Sequence, residues 1–356
     1  MFQRRNQTCR AAVFRAPGAP LELQEFDIHR PAEREALVQI TLCTICGSDL
    51  HTIRGKRNES TPAILGHEIL GKVTEVGDPP PLNVDGNPVR KGDRVTWSTC
   101  VSCSRCDRCN AGFPQKCRTL FKYGHAVAEG RYALSGGLAE YILLRRGSAV
   151  IPLSDALADQ VACPVNCATA TIAAAYRIAD QVAGKRILVL GAGMLGLTAA
   201  AFGKWRQASE VTVCDLDAGR LQKASALGAD NIVDWKSHDL DDSLPEIVLE
   251  CSGAPDAVEL ACHVGDIGSK VILVGSVKQS PPVPLDAQNT VRACLSIHGI
   301  HNYTPKDLGT AVEFLLHSSG RFPLAELVQT TYPLTAVNDA IEFAFENRPI
   351  RVAIRP

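Results

Sequence analysis

KRILVLGAGMLGLTAAAFGKWRQ, residues 185 to 207, joins a short apolar run to a glycine-patterned turn and then to a helical pattern. The run from Arg186 to Leu190 reads as a strand buried on both faces. GAGMLG, Gly191 to Gly196, then spells G-x-G-x-x-G where a strand passes into a helix. Gly191 permits the tight turn, Gly193 lets backbone approach a pyrophosphate, and Gly196 lets the helix pack closely on the strand. Phosphates would sit on the helix amino end, where unpaired N–H groups and the dipole favour anions. The loop thus offers Gly191, Gly193, Met194, Leu195 and Gly196 to a dinucleotide.

Without its context the pattern is only a glycine-rich turn. Here the next apolar run, VTVC, ends at Asp215, 19 residues beyond Gly196. A carboxylate there accepts hydrogen bonds from a ribose 2′-hydroxyl and repels a 2′-phosphate, which favours NAD over NADP. Arg220 follows in the next helical pattern. It would meet a phosphate if Asp215 turned away, so NADP stays as the less favoured cofactor.

Outward from this unit the alternation continues. EVTVCD, IVLECSG and KVILVG are further buried-strand runs, and DAGRLQKASALG and PDAVELACHVG are helical patterns between them. Strands alternating with helices predict an α/β fold with a doubly wound parallel sheet. The first 150 or so residues differ. AAVFR, ALVQITLC, EILGKVTEVG and DRVTWS are short β-rich runs broken by APGAP and GDPPPLNVDGNP, which predicts a barrel-like β domain. After residue 300 come two helical patterns, KDLGTAVEFLLHSS and AVNDAIEFAFE, and a last strand, RVAIRP. That tail is too short to stand alone and is expected to pack back on the first domain.

The bulk composition narrows the function. The chain has 356 residues, 46% hydrophobic and 21% charged, with a formal net charge of −1. Such a balance excludes a global field for nucleic acid or anionic membrane. No apolar stretch approaches the roughly 18–20 residues of a membrane-spanning helix. MFQRRNQTCR has no apolar segment behind its charges, so no export signal is read. The 14 cysteines are then expected in a reducing, cytoplasmic setting, as core residues or metal ligands.

TCVSCSRCDRCNAGFPQKC, residues 99 to 117, holds five of those cysteines. Cys103, Cys106, Cys109 and Cys117 give C-x2-C-x2-C-x7-C, a thiolate set that closes a tetrahedral structural Zn²⁺ site. Cys100 is an alternative fourth ligand. Cys117 is preferred because NAGFPQK supplies Gly and Pro for a loop folding back. A second set is scattered: Cys46 in ICGSDLH, His67 and Glu68 in ILGHEILG, and Cys167 in PVNCATAT. Two thiolates and one imidazole leave a fourth position open, as a catalytic zinc requires. Singly, each of these residues also reads as core filler or a turn pair.

CGSDLH, GHEILGKVTEVG, KGDRV, the four-cysteine lobe, GAGMLG and the strand ending at Asp215 together resemble the zinc-dependent medium-chain dehydrogenases, the family of alcohol, sorbitol and threonine dehydrogenases. The resemblance spans essentially the whole chain. It implies a GroES-like β-barrel catalytic domain at 1–160, a Rossmann NAD-binding domain at 161–300, and a return to the catalytic domain at 301–356. It implies two zinc ions, one structural and one catalytic, an active site in the cleft, a small-molecule alcohol as substrate, and a homodimer or homotetramer. By position, Cys46 and His67 match catalytic-zinc ligands and Glu68 matches a carboxylate behind the metal. Ser48 matches the hydroxyl that takes the substrate proton, and His51 the far end of that relay. The third ligand matches less closely. Cys167, with Thr171 four residues on, fits the cysteine version, while Cys163 and the Asn166 region remain alternatives.

FPQKCRTLFKYGH, NCATAT, GAGMLGLTAAA, SGAPDAVE and GIHNYTP further resemble a subgroup associated with phosphonate catabolism. That association does not define the substrate: the ordinary members oxidise secondary or primary alcohols and polyols, and polyols, cyclitols and hydroxyphosphonates are the classes to test here. A cationic pocket edged by some of Lys56, Arg57, Lys122, His125 and Arg131 would be its physical counterpart. Two other readings stand beside it: a zinc-free quinone or enone reductase on the same fold, and a dinucleotide-binding protein without catalysis.

Overall fold

The computed structural model describes residues 7–236 and 244–356. The first six residues, part of the amino end that carries the export-signal expectation, lie outside that range. The chain divides into two compact units: Met1–Cys167 with Thr304–Gly309 and Ala325–Pro356, and Ala168–Tyr303 with Thr310–Leu324.

The first unit is built on a seven-stranded sheet. Its axis is the long strand Ala36–Ile45, which pairs antiparallel with Glu68–Val76, Tyr141–Leu144 and the last strand Arg351–Arg355. This strand is buried on both faces along most of its length, and ALVQITLCTI is accordingly apolar on most successive residues rather than alternating. Register matters more here than topology. Thr44 stands opposite Glu68 on one side and opposite Ala353 on the other. The ends of three strands, far apart in sequence, therefore meet around residues 44 to 46. Trp97, Tyr123, Phe14 and Leu65 fill the core beside this sheet.

The second unit carries a six-stranded, all-parallel sheet. Its spatial order is Asn231–Asp234, Glu210–Asp215, Arg186–Leu190, Ile247–Glu250, Lys270–Leu273, Ser296–Gly299. Numbered along the chain this is 3-2-1-4-5-6, the doubly wound order that reverses beside the first strand. The turn after that strand is the G-x-G-x-x-G loop. Helix Met194–Trp205 follows directly, with Gly193 as its N-cap residue.

The tail is divided between the two units. Residues 304–309 and 325–356 belong to the first unit, but Thr310–Leu324 belongs to the second. Aromatic packing accounts for this: Phe314 lies 4.8 Å from Phe202 and 5.6 Å from Trp205, ring centre to ring centre. The first unit also runs on to Cys167, past residue 160. Among the described residues no helix is long and apolar enough to cross a membrane.

Candidate metal and cofactor sites

Cys46 ends the long strand's run and caps the helix Gly47–Ile53. Asp49, three residues on, returns its Oδ2 to the Cys46 N–H at 2.9 Å, completing a capping box. His67 lies between the short strand Ala63–Ile64 and Glu68–Val76. Before it, Gly66 has φ +84, and a Cβ there would come within 2.7 Å of Cys43 Sγ. Only glycine permits that turn into the strand. Cys167 follows the turn Cys163–Asn166. Asn166 holds this turn to the sheet, accepting from Ile69 N at 3.2 Å and donating to the Trp97 carbonyl at 3.0 Å. The donor atoms of Cys46, His67 and Cys167 all fall within 4.8 Å of one another.

The alternatives for the third ligand have other partners. Cys163 is fully buried and its thiol donates to the Leu42 and Glu68 carbonyls at 3.4 and 3.3 Å. Burial pushes its thiol well above the ordinary cysteine value. Asn166 is the clamp just described.

Two residues that the sequence reading did not single out frame this centre. Asp49 Oδ1 meets His67 Nδ1 at 3.2 Å. The ring nitrogen facing Asp49 is thereby the protonated one, which leaves Nε2 as the atom that could ligate a metal. Burial pushes His67 down, but the Asp49 and Cys46 charges beside it raise it to about 10. A metal ion held there would take the place of the second ring proton. The second residue is Arg351, from the last strand. Its Nε and Nη2 donate to Glu68 Oε2 and Oε1, each at 2.8 Å, and Nη2 reaches Cys46 Sγ at 3.4 Å. Thr44 Oγ1 adds a third bond to Glu68 at 2.6 Å. The thiol of Cys167 and then the Arg351 guanidinium hold Cys46 well below the ordinary cysteine value. A thiolate is the form that binds metal.

Ser48 Oγ stands 3.4 Å from His67 Nε2. His51 is three residues on in the same helix, hence on the same face. The cations that the reading placed around a pocket are mostly engaged. Arg57 and His125 are both bound to Glu59, at 3.2 and 2.8 Å. Arg131 is bound to Glu35, and Lys122 lies on a strand paired with Cys100. Burial, above all, holds His125 down at about 4.

The four thiols Cys103, Cys106, Cys109 and Cys117 form the other cluster. A tetrahedron with Zn–S bonds of about 2.3 Å has edges of about 3.8 Å. The Cys106 to Cys109 and Cys106 to Cys117 sulfur separations are 3.5 and 3.9 Å. Burial raises Cys117, but the Cys103 N–H and the Thr119 hydroxyl bring it down to about 6. The set therefore fits a closed S₄ metal site. Cys100 is not among these four; it is buried on the strand Cys100–Val101.

In the cofactor loop, Gly191 has φ +103, and a Cβ there would meet Ser252 at 2.9 Å. A Cβ on Gly196 would stand 1.7 Å from the Gly191 carbonyl oxygen. On Gly193 it would meet nothing within 4 Å. The first two glycines serve the fold; the third leaves an open cradle at a helix amino end, which fits a pyrophosphate. Met194 and Leu195 open that helix. Asp215 turns inward, accepting from the loop N–H of Ala192 and from Asp217 N. Asp217, in turn, caps the next helix and lies 4.0 Å from the Arg220 guanidinium.

A family model described as alcohol dehydrogenase GroES-like domain matches residues 32–155, and one described as zinc-binding dehydrogenase matches 195–317. The chain is similar to the sorbitol dehydrogenase of Bacillus subtilis, 30% identical over 90% of each chain. It is also similar to the D-arabitol-phosphate dehydrogenase of Enterococcus avium, 28% identical over 98% of each. Its fold is similar to the crystal structure of an alcohol dehydrogenase from Thermotoga maritima, with a TM-score of 0.92, 24% identity, and 98% and 100% of the two chains covered.

Proposed function

Because the chain belongs to the zinc-dependent medium-chain dehydrogenase family, oxidoreductases that act on CH–OH groups with a nicotinamide cofactor, we propose that it is an NAD-dependent zinc alcohol dehydrogenase. Its substrate on this reading is a small secondary or primary alcohol or polyol. Cys46, His67 and Cys167 would hold the catalytic zinc, and Cys103, Cys106, Cys109 and Cys117 the structural one. The observation that carries the reading is the convergence of two sulfurs and one imidazole within 4.8 Å.

When bound, zinc stabilises an alkoxide and polarises a carbonyl, and the nicotinamide exchanges a hydride with the substrate carbon. The chain's own groups do the rest. Ser48 takes the hydroxyl proton, and His51, one turn along the helix, passes it outward. Asp49 fixes the His67 tautomer. Arg351 holds the Glu68 carboxyl in place behind Cys46 with two hydrogen bonds. Gly193 leaves room for the pyrophosphate, and Asp215 supports NAD over NADP through the ribose hydroxyls.

The 14 cysteines, all unpaired, support a reducing compartment such as the cytoplasm. A dimer or tetramer belongs to the same reading and is tested by light scattering. The relative from Enterococcus avium favours a second reading, an anionic polyol phosphate. The engagement of Arg57 and His125 by Glu59 counts against it.

The test is NADH formation across alcohols and polyols, with and without phosphonate or phosphate, before and after chelation. Turnover that chelation abolishes supports the reading. A higher kcat/KM for the anionic members would favour the second one.

A further inference from the structure

The chain buries a hydrogen-bonded trio beside the candidate metal centre that neither the zinc ligands nor the proton relay requires. Arg57 Nη2 binds Glu59 Oε1 at 3.2 Å, and His125 Nδ1 binds the same oxygen at 2.8 Å. Their side chains are 17, 13 and 7% exposed. The ring of His125 lies against that of His67, with 5.0 Å between centres and a 33° tilt. With Nδ1 donating to a carboxylate, the proton is fixed there and Nε2 carries a lone pair. Among the described residues that Nε2 makes no hydrogen bond. Nor is it one of the sealed side-chain atoms that lack a partner, so it is open to one from outside the chain.

We propose that His125, anchored by Glu59, is a specificity-determining residue whose Nε2 accepts a hydrogen bond from a substrate hydroxyl adjacent to the one being oxidised. This rests on the proposed alcohol dehydrogenase reading. The chemistry selects the class. A hydroxyl can donate to an imidazole lone pair, whereas a carboxylate or a doubly ionised phosphate cannot. Arg57 is already paired with Glu59 and gives no free charge to an anion. A small molecule bearing hydroxyls on adjacent carbons can meet the metal centre with one oxygen and the neighbouring ring with the other. Glu59 acts through His125 and is a positioning residue.

The experiment compares kcat/KM for 2,3-butanediol and for 2-butanol on the zinc-loaded, NAD-supplied protein. The native chain prefers the diol by about tenfold, the discrimination expected from one added hydrogen bond. His125→Phe keeps the ring and removes the acceptor, so that preference collapses towards one. Glu59→Gln keeps the size and loosens the anchor, and the preference falls by severalfold, in KM more than in kcat. If one variant does not fold, judged by zinc content and melting temperature, the other decides. An unchanged preference in a folded variant overturns the proposal. So does a native chain that turns over 2-butanol as well as the diol, which leaves the dehydrogenase reading intact. A zinc-loaded native chain that oxidises neither alcohol counts against that reading itself and removes the basis for this one.

Discussion

Arg351 grips Glu68 with two parallel hydrogen bonds of 2.8 Å each, across 283 residues of sequence. The pair is buried, Glu68 completely and Arg351 to 8% exposure. Removing one partner leaves an uncompensated charge, so Arg351→Met is expected to destabilise the protein by about 3–5 kcal/mol. The double variant Arg351→Met with Glu68→Met should recover most of that loss. Denaturant unfolding of both variants checks the pair. Equal losses in the single and double variants would mean the cost comes from packing alone.

Asp49 fixes the orientation of His67. With its carboxylate gone, Nδ1 of His67 loses the partner that fixes the tautomer. Asp49→Asn is expected to weaken zinc at this centre by about 10- to 100-fold. Chelator competition measures it, and the four-cysteine site serves as an internal reference that should not move.

The two glycine variants separate fold from cofactor. Gly193→Ala meets no atom within 4 Å, so its melting temperature should match the native protein while NAD affinity falls sharply. Gly196→Ala brings a Cβ to 1.7 Å from the Gly191 carbonyl, so stability itself should fall. Calorimetry with and without NAD distinguishes the two. Unaltered NAD binding in Gly193→Ala would remove the pyrophosphate from this loop.

Away from both metal sites, Glu35 gives a pH test. Burial raises its carboxyl, but the Arg131 and Tyr132 hydrogen bonds outweigh it and hold the group below its ordinary value of 4.5. A depressed carboxylate stabilises the fold at pH above its unfolded value, and that contribution is lost as pH falls through the folded one. Glu35→Gln is therefore expected to cost about 2 kcal/mol at neutral pH. The difference from the native chain should shrink below pH 4.5. Melting curves across that range check it. A difference independent of pH would assign the effect to packing.

What was legible in the sequence was local. GAGMLG with its strand and helix, the C-x2-C-x2-C-x7-C lobe and the runs of β-branched residues each carry their meaning within a few residues. Cys46 and Ser48 share one motif with Asp49, whose spacing from Cys46 matches a capping box and could have been read as one. Arg351 had no such signal. Only the pairing of Ala36–Ile45 with both Glu68–Val76 and Arg351–Arg355 brings it to Glu68, and register between distant strands is not written in either one. The place of Thr310–Leu324 carried no such signal either: Phe314 finds Phe202 through tertiary packing that no local pattern announces. His125 was read as a cation for a pocket, and its partner Glu59 passed unnoticed in an exposed-looking loop.

The most direct measurement is zinc stoichiometry with NADH formation, on the native chain and on Cys167→Ser. The native protein should hold two zinc ions per chain, one for each thiol-containing cluster. Cys167→Ser should hold one and form no NADH, while keeping its fold. A Cys167→Ser protein that retains both ions and full turnover would contradict a catalytic centre built from Cys46, His67 and Cys167.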